Sequence, residues 1–415
     1  MYWTRALAVA VFLAPAAAFG TAGFFQHGYG LKAKGMGGAG IALPQDALAT
    51  ATNPAGMVWL GNRLDLGLEW FDADRGSTIS GNTSGLNRSR DANGVRGFPI
   101  PEFGYNRMLD TERSLGVSVY GNGGITRYSS NPFQGGGSTP AGFDFVQGIV
   151  APTFAVKLDA NHSVGAALNL VYQQFEARGL ERFATGAFSS SPANVTNRGR
   201  DHAAGASLRL GWLGRVAPDL TLGATYQTKT WTQKFDRYRG LFADQGSFEA
   251  PENFGIGMAW KPGKATLAVD LERINFSKVA GVGNRDDCFL AGTCLLGESG
   301  GPGAGWRDVT VLKAGLAYEW DATLTLRGGG AVLRQPIPRD QTVFGVLAPA
   351  VSEIHLTLGA TWQISPRSEL TLGFMHALPN TVRGSGSISG GLMGGGEADL
   401  RMRQTSIGIS WGLRP

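Results

Sequence analysis

Gly35 to Met57 reads GMGGAGIALPQDALATATNPAGM, and its reading decides how the rest of the chain is arranged. The stretch holds too much glycine for a stable helix and too much proline for a central strand. Glycine raises the entropy lost on ordering, and proline lacks a backbone donor. Irregular backbone of this length needs a protected place, and the residues around it show which place is available.

Downstream, from Arg63 onward, the chain alternates with period two. In RLDLGLEWF, Leu64, Leu66, Leu68 and Trp70 share one face, and Asp65, Gly67 and Glu69 the other. The same split separates Leu208, Leu210 and Trp212 from Ser207 and Arg209, and Leu267, Val269 and Leu271 from Ala268, Asp270 and Glu272. It also separates Ile354, Leu356, Leu358 and Trp362 from His355, Thr357 and Thr361. A soluble sandwich alternates too, so the position of the charges decides. Arg209, Asp270, Glu272, Lys313 and Arg327 fall at mid-strand, where a dry core would penalise them heavily and a polar barrel lumen would not. The apolar face ends repeatedly in Trp or Tyr (Trp70, Tyr172, Trp212, Tyr226, Tyr318, Trp362, Trp411), as an interfacial girdle does.

Upstream, Arg5, the apolar run ALAVAVFLA and the small residues AAAFG after Pro15 read as a secretory signal over residues 1–20. Cleavage falls near Ala18 or Gly20. No later segment reaches the apolar length of a transmembrane helix. Composition agrees with a barrel: of 415 residues 63 are glycine and 17% are charged. The net charge of +5 is mild and scattered, which gives nucleic-acid binding no support.

About fourteen strand-like runs are joined alternately by short and long connections. The short ones are LDTER, DANHS, APD, KPGK, WDA and SPRS; the long ones span roughly 72–98, 129–142, 176–200, 235–250, 277–306, 335–351 and 380–397. The expected fold is all-β: a transmembrane antiparallel β-barrel over 63–415 with an N-terminal lumenal plug over 21–62, the plug made of short helical and irregular segments. Irregular backbone at membrane depth is tolerated only where protein or water surrounds it, so the glycine-rich stretch belongs in the lumen. TSIGISWGL closes the barrel. Past Trp411 the chain runs Gly412, Leu413, Arg414, Pro415, whereas such barrels commonly finish on an aromatic residue. Either insertion tolerates this tail or the assembly signal is atypical.

NPAGM at Asn53 to Met57, with AGF at Ala22 to Phe24, VYGNGGI at Val119 to Ile125, PENFGIGMAWKP at Pro251 to Pro262 and LRGGGAVLRQPIP at Leu326 to Pro338, resembles the FadL/TodX family. These are outer-membrane transporters of long-chain fatty acids and other hydrophobic compounds. The resemblance implies a hatch-closed barrel in the bacterial outer membrane. Outer loops would capture an apolar ligand, which passes to a pocket against the hatch and leaves sideways where the third strand kinks. It places the gate at Asn53, Pro54, Ala55 and Gly56, the kink at Gly121, Asn122, Gly123 and Gly124, and a ligand contact at Phe24. Glycine suits a kink physically, because it accepts bulge geometry and interrupts the ladder; an ordinary bulge that only shapes the barrel is the alternative.

Other candidates come from the residues themselves. LERFATGAF has the pattern of a short amphipathic helix, and with YRGLFADQGSF it offers Phe183, Phe188, Leu241, Phe242 and Phe248 as exposed loop aromatics and aliphatics. They would form a capture groove or a satellite core. Arg237 or Arg239 could pair with a carboxylate ligand or with lipopolysaccharide phosphates. Cys288 and Cys294, in an exported chain, read as a local disulfide. Histidine spacing gives no metal site and nothing calls for a cofactor. Ser352 and His355 fall on opposite faces, which leaves little for a lipid hydrolase, and the plug argues against a nonspecific porin or purely structural barrel. A monomer in contact with outer-membrane lipid and lipopolysaccharide, carrying a hydrophobic small molecule by passive diffusion without catalysis, is expected.

Overall fold

The computed structural model describes residues 22–133 and 139–415; the expected signal segment, residues 1–20, lies outside the described residues. Fourteen antiparallel strands form one closed wall. They are β1 (Arg63–Ser80), β2 (Gly97–Met108), β3 (Arg113–Arg127), β4 (Gly142–Lys157), β5 (His162–Arg178), β6 (Asp201–Ala217), β7 (Leu220–Gln227), β8 (Asn253–Trp260), β9 (Ala265–Ile274), β10 (Val309–Glu319), β11 (Leu324–Leu333), β12 (Ile354–Ser365), β13 (Ser368–Val382) and β14 (Glu397–Leu413). Each pairs with its sequence neighbour, and β14 closes on β1 in register from Leu64 opposite Leu413 to Ser80 opposite Glu397. Among the described residues no helix is long and apolar enough to cross a membrane, so the crossing is made by strands.

Alternation places the faces as the sequence requires. Trp70 is 54% exposed on the outer wall while Glu69 beside it is 3% exposed; Leu358 is 62% exposed and His355 1%. One expectation changes. The first long loop was to begin at Asp72, yet β1 continues to Ser80, because β14 remains beside it as a ladder partner. The last strand ends at Leu413, as the run TSIGISWGL requires: Gly412 lies opposite Asp65 and Glu369, Leu413 opposite Leu64 and Ser368, and just past it the Arg414 N–H donates to the Arg367 carbonyl at 2.8 Å.

Residues 22–62 fill the lumen as a four-residue helix, α1 (Leu31–Lys34), and two 3-10 segments, Ala47–Ala51 and Pro54–Trp59, joined by irregular backbone. The abundant glycine acquires a reason here. A Cβ on Gly211 would stand 1.9 Å from Asn53 Oδ1, and one on Gly165 would stand 2.5 Å from the Pro54 carbonyl carbon. Bare positions on the inner wall let the plug press directly against the strands.

Candidate functional site

The plug is held by side chains that satisfy its irregular backbone. Asp270 Oδ2 on β9 accepts the N–H groups of Gly40 (2.7 Å) and Ile41 (2.9 Å), Thr357 Oγ1 on β12 accepts Gly37 N–H (2.8 Å), and Asp65 Oδ2 on β1 accepts Ala47 N–H (2.8 Å). Asn53 caps the second 3-10 segment through Oδ1 to Ala55 N–H, and its Nδ2 donates to the carbonyls of Ile41 (2.7 Å) and Trp212 (2.9 Å). Pro54, at the first position of that segment, supplies the fixed φ a helix start requires. Ala55 and Gly56 are buried behind it. Lys32 pairs with Glu369, and Lys34 with Glu69 and Glu102, all buried.

The lumenal charges divide their bonds between the wall and the plug. Glu272 pairs with Lys313 at 2.7 Å, but Asp270 serves plug amides instead. Arg209 donates to Gln227 and Asn253, and Arg327 to Thr361 and Gln45. Plug backbone entering the lumen competes for the acceptors, so opposite charges do not simply find one another.

On the loop side of the plug lies an apolar cavity of about 110 Å³. Its floor is the turn at Gly23 and Phe24; one side is Gly123, Gly124 and Phe145; the roof comes from loop residues Leu241, Phe242, Phe248, Trp306 and Phe344. Phe24 sits edge-on to Phe145 (centroids 5.5 Å) and Phe276 (5.7 Å). Gly23 has φ +70°, and a Cβ there would meet the Phe276 ring at 2.4 Å, so the floor closes only with glycine at this position. Farther from the plug, Phe183, Phe188, Phe289 and Phe344 form a second aromatic group, with Phe289 5.5 Å from Phe344 and 5.8 Å from Phe188. Phe289 is held beside the Cys288–Cys294 disulfide.

Of the loop candidates, Leu241, Phe242 and Phe248 line the cavity, while Phe183 and Phe188 belong to the outer group. Expected as exposed, Phe183, Leu241, Phe242 and Phe248 are buried, because each loop packs its rings against the others. The amphipathic helix expected over Leu180 to Phe188 shrinks to a 3-10 turn, Glu181–Phe183, too short to present a helical face. Arg237 and Arg239 stand away from the cavity: Arg237 donates to the Arg198 carbonyl (3.2 Å) and Arg239 to Ser191 Oγ (3.3 Å). The sequence reading missed Phe145, Trp306 and Phe344. Trp306 could have been suspected as a large apolar residue at the end of a glycine-rich loop.

The glycines of β3 adjoin this cavity where the wall changes. β3 pairs with β4 along its whole length, from Arg113 opposite Val156 to Arg127 opposite Gly142. Its ladder with β2 stops at Phe103 opposite Val119, although β2 continues beside β1 to Gly97. Gly123 has φ +151°, a conformation that side chains disfavour. The freed edge of β3 turns to the plug: Gly121 O accepts Gln26 Nε2 (2.6 Å), Gly123 N–H donates to Phe24 O (3.1 Å), and Asn122 Oδ1 accepts Tyr29 OH (2.7 Å). Ser352 Oγ and the His355 ring nitrogens make no hydrogen bond to one another.

No curated protein sequence matches the chain significantly. Solved structures do: the P. putida toluene transporter TodX superposes with a TM-score of 0.71 at 17% identity, covering 94% of this chain and 99% of that one. The Ralstonia pickettii toluene transporter TbuX gives 0.66 at 17% identity over 94% and 98% of the two chains. A Pseudomonas aeruginosa FadL homologue gives 0.66 at 15% identity over 94% and 99%. At these identities the likeness concerns the fold. The family model described as "Outer membrane protein transport protein (OMPP1/FadL/TodX)" matches residues 7–386. A closed fourteen-stranded barrel and a match over nearly the whole chain lead to one conclusion: the protein belongs to the OMPP1/FadL/TodX family of outer-membrane transport proteins.

Proposed function

We propose that this protein admits a compact, neutral hydrophobic molecule by passive diffusion, holding it in the apolar cavity against the plug and releasing it sideways at the β3 kink. The observation that carries this reading is the cavity itself, which is floored by Gly23 and Phe24 and reaches Gly123 and Gly124 on β3, beyond the point at Val119 where its ladder with β2 stops. Transfer from water to rings and aliphatic side chains supplies the driving force for capture, and the concentration gradient supplies direction. At about 110 Å³ the space is of the same order as an apolar protein cavity of about 150 Å³ that accepts benzene, which favours a ligand on the scale of one ring over a long chain. Among the described residues the one cationic side chain at the cavity is Arg75, which donates to the Ala73 and Val95 carbonyls and lies over the Phe98 ring, so a carboxylate head group would compete with existing contacts. A wide aqueous channel finds less support, since residues 22–62 are tied across the lumen to β1, β6, β9 and β12.

The test is uptake of labelled toluene and labelled oleate by cells in which this is the sole transporter of its kind. Toluene should enter faster than in cells lacking the protein, with little gain for oleate. Oleate uptake without toluene uptake would overturn the size argument, and no uptake of either would overturn the transport reading for both compounds.

A further inference from the structure

The wall interruption has two edges, and the residues on the β2 side carry a signal of their own. β2 contains GFPIPEFG, with Pro99 and Pro101 on the outward face, two residues apart. Hydrogen-bond direction along β2 can be read at both ends. Ala73 N–H donates to Arg96 O, which assigns the N–H groups of Phe98, Ile100 and Glu102 to β1; Leu109 N–H donates to Arg113 O, which assigns those of Arg107, Tyr105 and Phe103 to β3. By the same alternation the nitrogens of Pro101 and Pro99 face the interruption, and they have no hydrogen to offer.

The register sharpens this. Phe103 lies opposite Val119; continued without a slip, Pro101 would lie opposite Gly121 and Pro99 opposite Gly123. These two pairs would exchange four backbone hydrogen bonds if the wall closed. Two of them lack a donor because the donor is proline. A third, from Gly123 N–H, is committed to Phe24 O, and Gly121 O already accepts Gln26 Nε2. An open strand edge in a membrane is ordinarily costly, since no water reaches its polar groups. Here one edge loses its donors by sequence and the other is occupied by the plug.

We propose that Pro99 and Pro101 are positioning residues of the lateral opening, which keep β2 from zipping onto β3 beyond Phe103 and so fix the height at which the wall opens. The inference rests on the reading of the interruption as the exit for ligand. The glycines let β3 turn inward; the prolines stop β2 from following or recapturing it.

The experiment compares three forms of the full-length barrel: the natural protein, Pro99→Val/Pro101→Val, and Pro152→Val, which replaces a wall proline on β4, opposite Val117 on the side of β3 that does not face β2. Valine suits an outward strand position and restores a donor. Folding is checked by heat-modifiable mobility. Amide hydrogen exchange is read at positions 99 and 101 of the double variant, the form that has amides there, and toluene uptake is measured in cells with all three. Protected amides at both positions, with uptake reduced at least severalfold relative to Pro152→Val, support the proposal. Protected amides with unchanged uptake also support it, and sink the lateral-exit reading instead. Freely exchanging amides overturn it, whatever the uptake. Should the double variant fail to fold, Pro101→Val alone restores the donor nearest the last paired residue and is read by the same criteria.

Discussion

Asn53 joins three parts of the molecule, since its side chain caps one plug segment, holds the Ile41 carbonyl of another and reaches the Trp212 carbonyl of the wall. Asn53→Ala removes a cap worth about 1 kcal/mol and leaves two carbonyls without their donor. Amide exchange should rise several-fold across Ile41 to Trp59 while strand amides stay protected. Equal protection of plug and strands in the variant would show that Asn53 is not a principal tether. In the outer loops, burial, with Asp287 beside it, pushes the Asp286 carboxyl up to about 7. A carboxyl whose folded pKa lies above its unfolded value of about 3.9 packs best when neutral. Its contribution is intact below about pH 4 and is lost as the pH rises through 7. The loop carrying Phe289 should therefore be cut faster by protease at pH 8.5 than at pH 5.5, and Asp286→Asn should flatten that difference. Asn53 entered through the resemblance, which marks the segment but not the wall carbonyl that its side chain reaches; Asp286 was not legible, because its burial depends on Gln341, 55 residues away, whose Oε1 accepts the Asp286 N–H.

Strands were the most readable elements, for alternation is local and each strand of a closed wall obeys it independently. Strand ends were less readable. Whether β1 stops at Asp72 or continues to Ser80 depends on β14, a segment more than three hundred residues later. The closing strand shows the same limit: nothing local marks what Gly412 packs against, and a Cβ there would stand 2.6 Å from Arg63 Nη2, within the buried cluster of Arg63, Asp65 and Glu369. Deleting Gly412 to Pro415 removes the closing rungs over that cluster and should lower folded barrel yield by half or more, measured as the heat-modifiable fraction in outer membranes. An unchanged yield would show that closure does not need them. The loops were the least readable elements, because exposed and buried phenylalanines look alike in sequence; Phe183 and Phe289 are buried by rings from other loops.

For the molecule as a whole, the sequence carried the barrel and the plug, since each leaves a compact local mark, while the kink at Gly121 to Gly124 was an implication of the resemblance. The sequence did not carry the cavity, which is assembled from the plug turn, strands β1, β3, β4 and β14, and three loops distant in the chain. Nor did it draw notice to Pro99 and Pro101, whose meaning appears only when β3 stands beside them. The central claim is that ligand passes from that cavity through the interruption between β2 and β3. Gly123 at φ +151° cannot become valine without strain, so Gly123→Val/Gly124→Val should force the kink to straighten or fill the passage with side chains. The most direct measurement is labelled toluene uptake by cells carrying this double variant, beside the natural protein at equal folded abundance. Uptake falling to the level of cells without the protein is the predicted result; uptake equal to that of the natural protein, with the barrel folded, would contradict lateral passage.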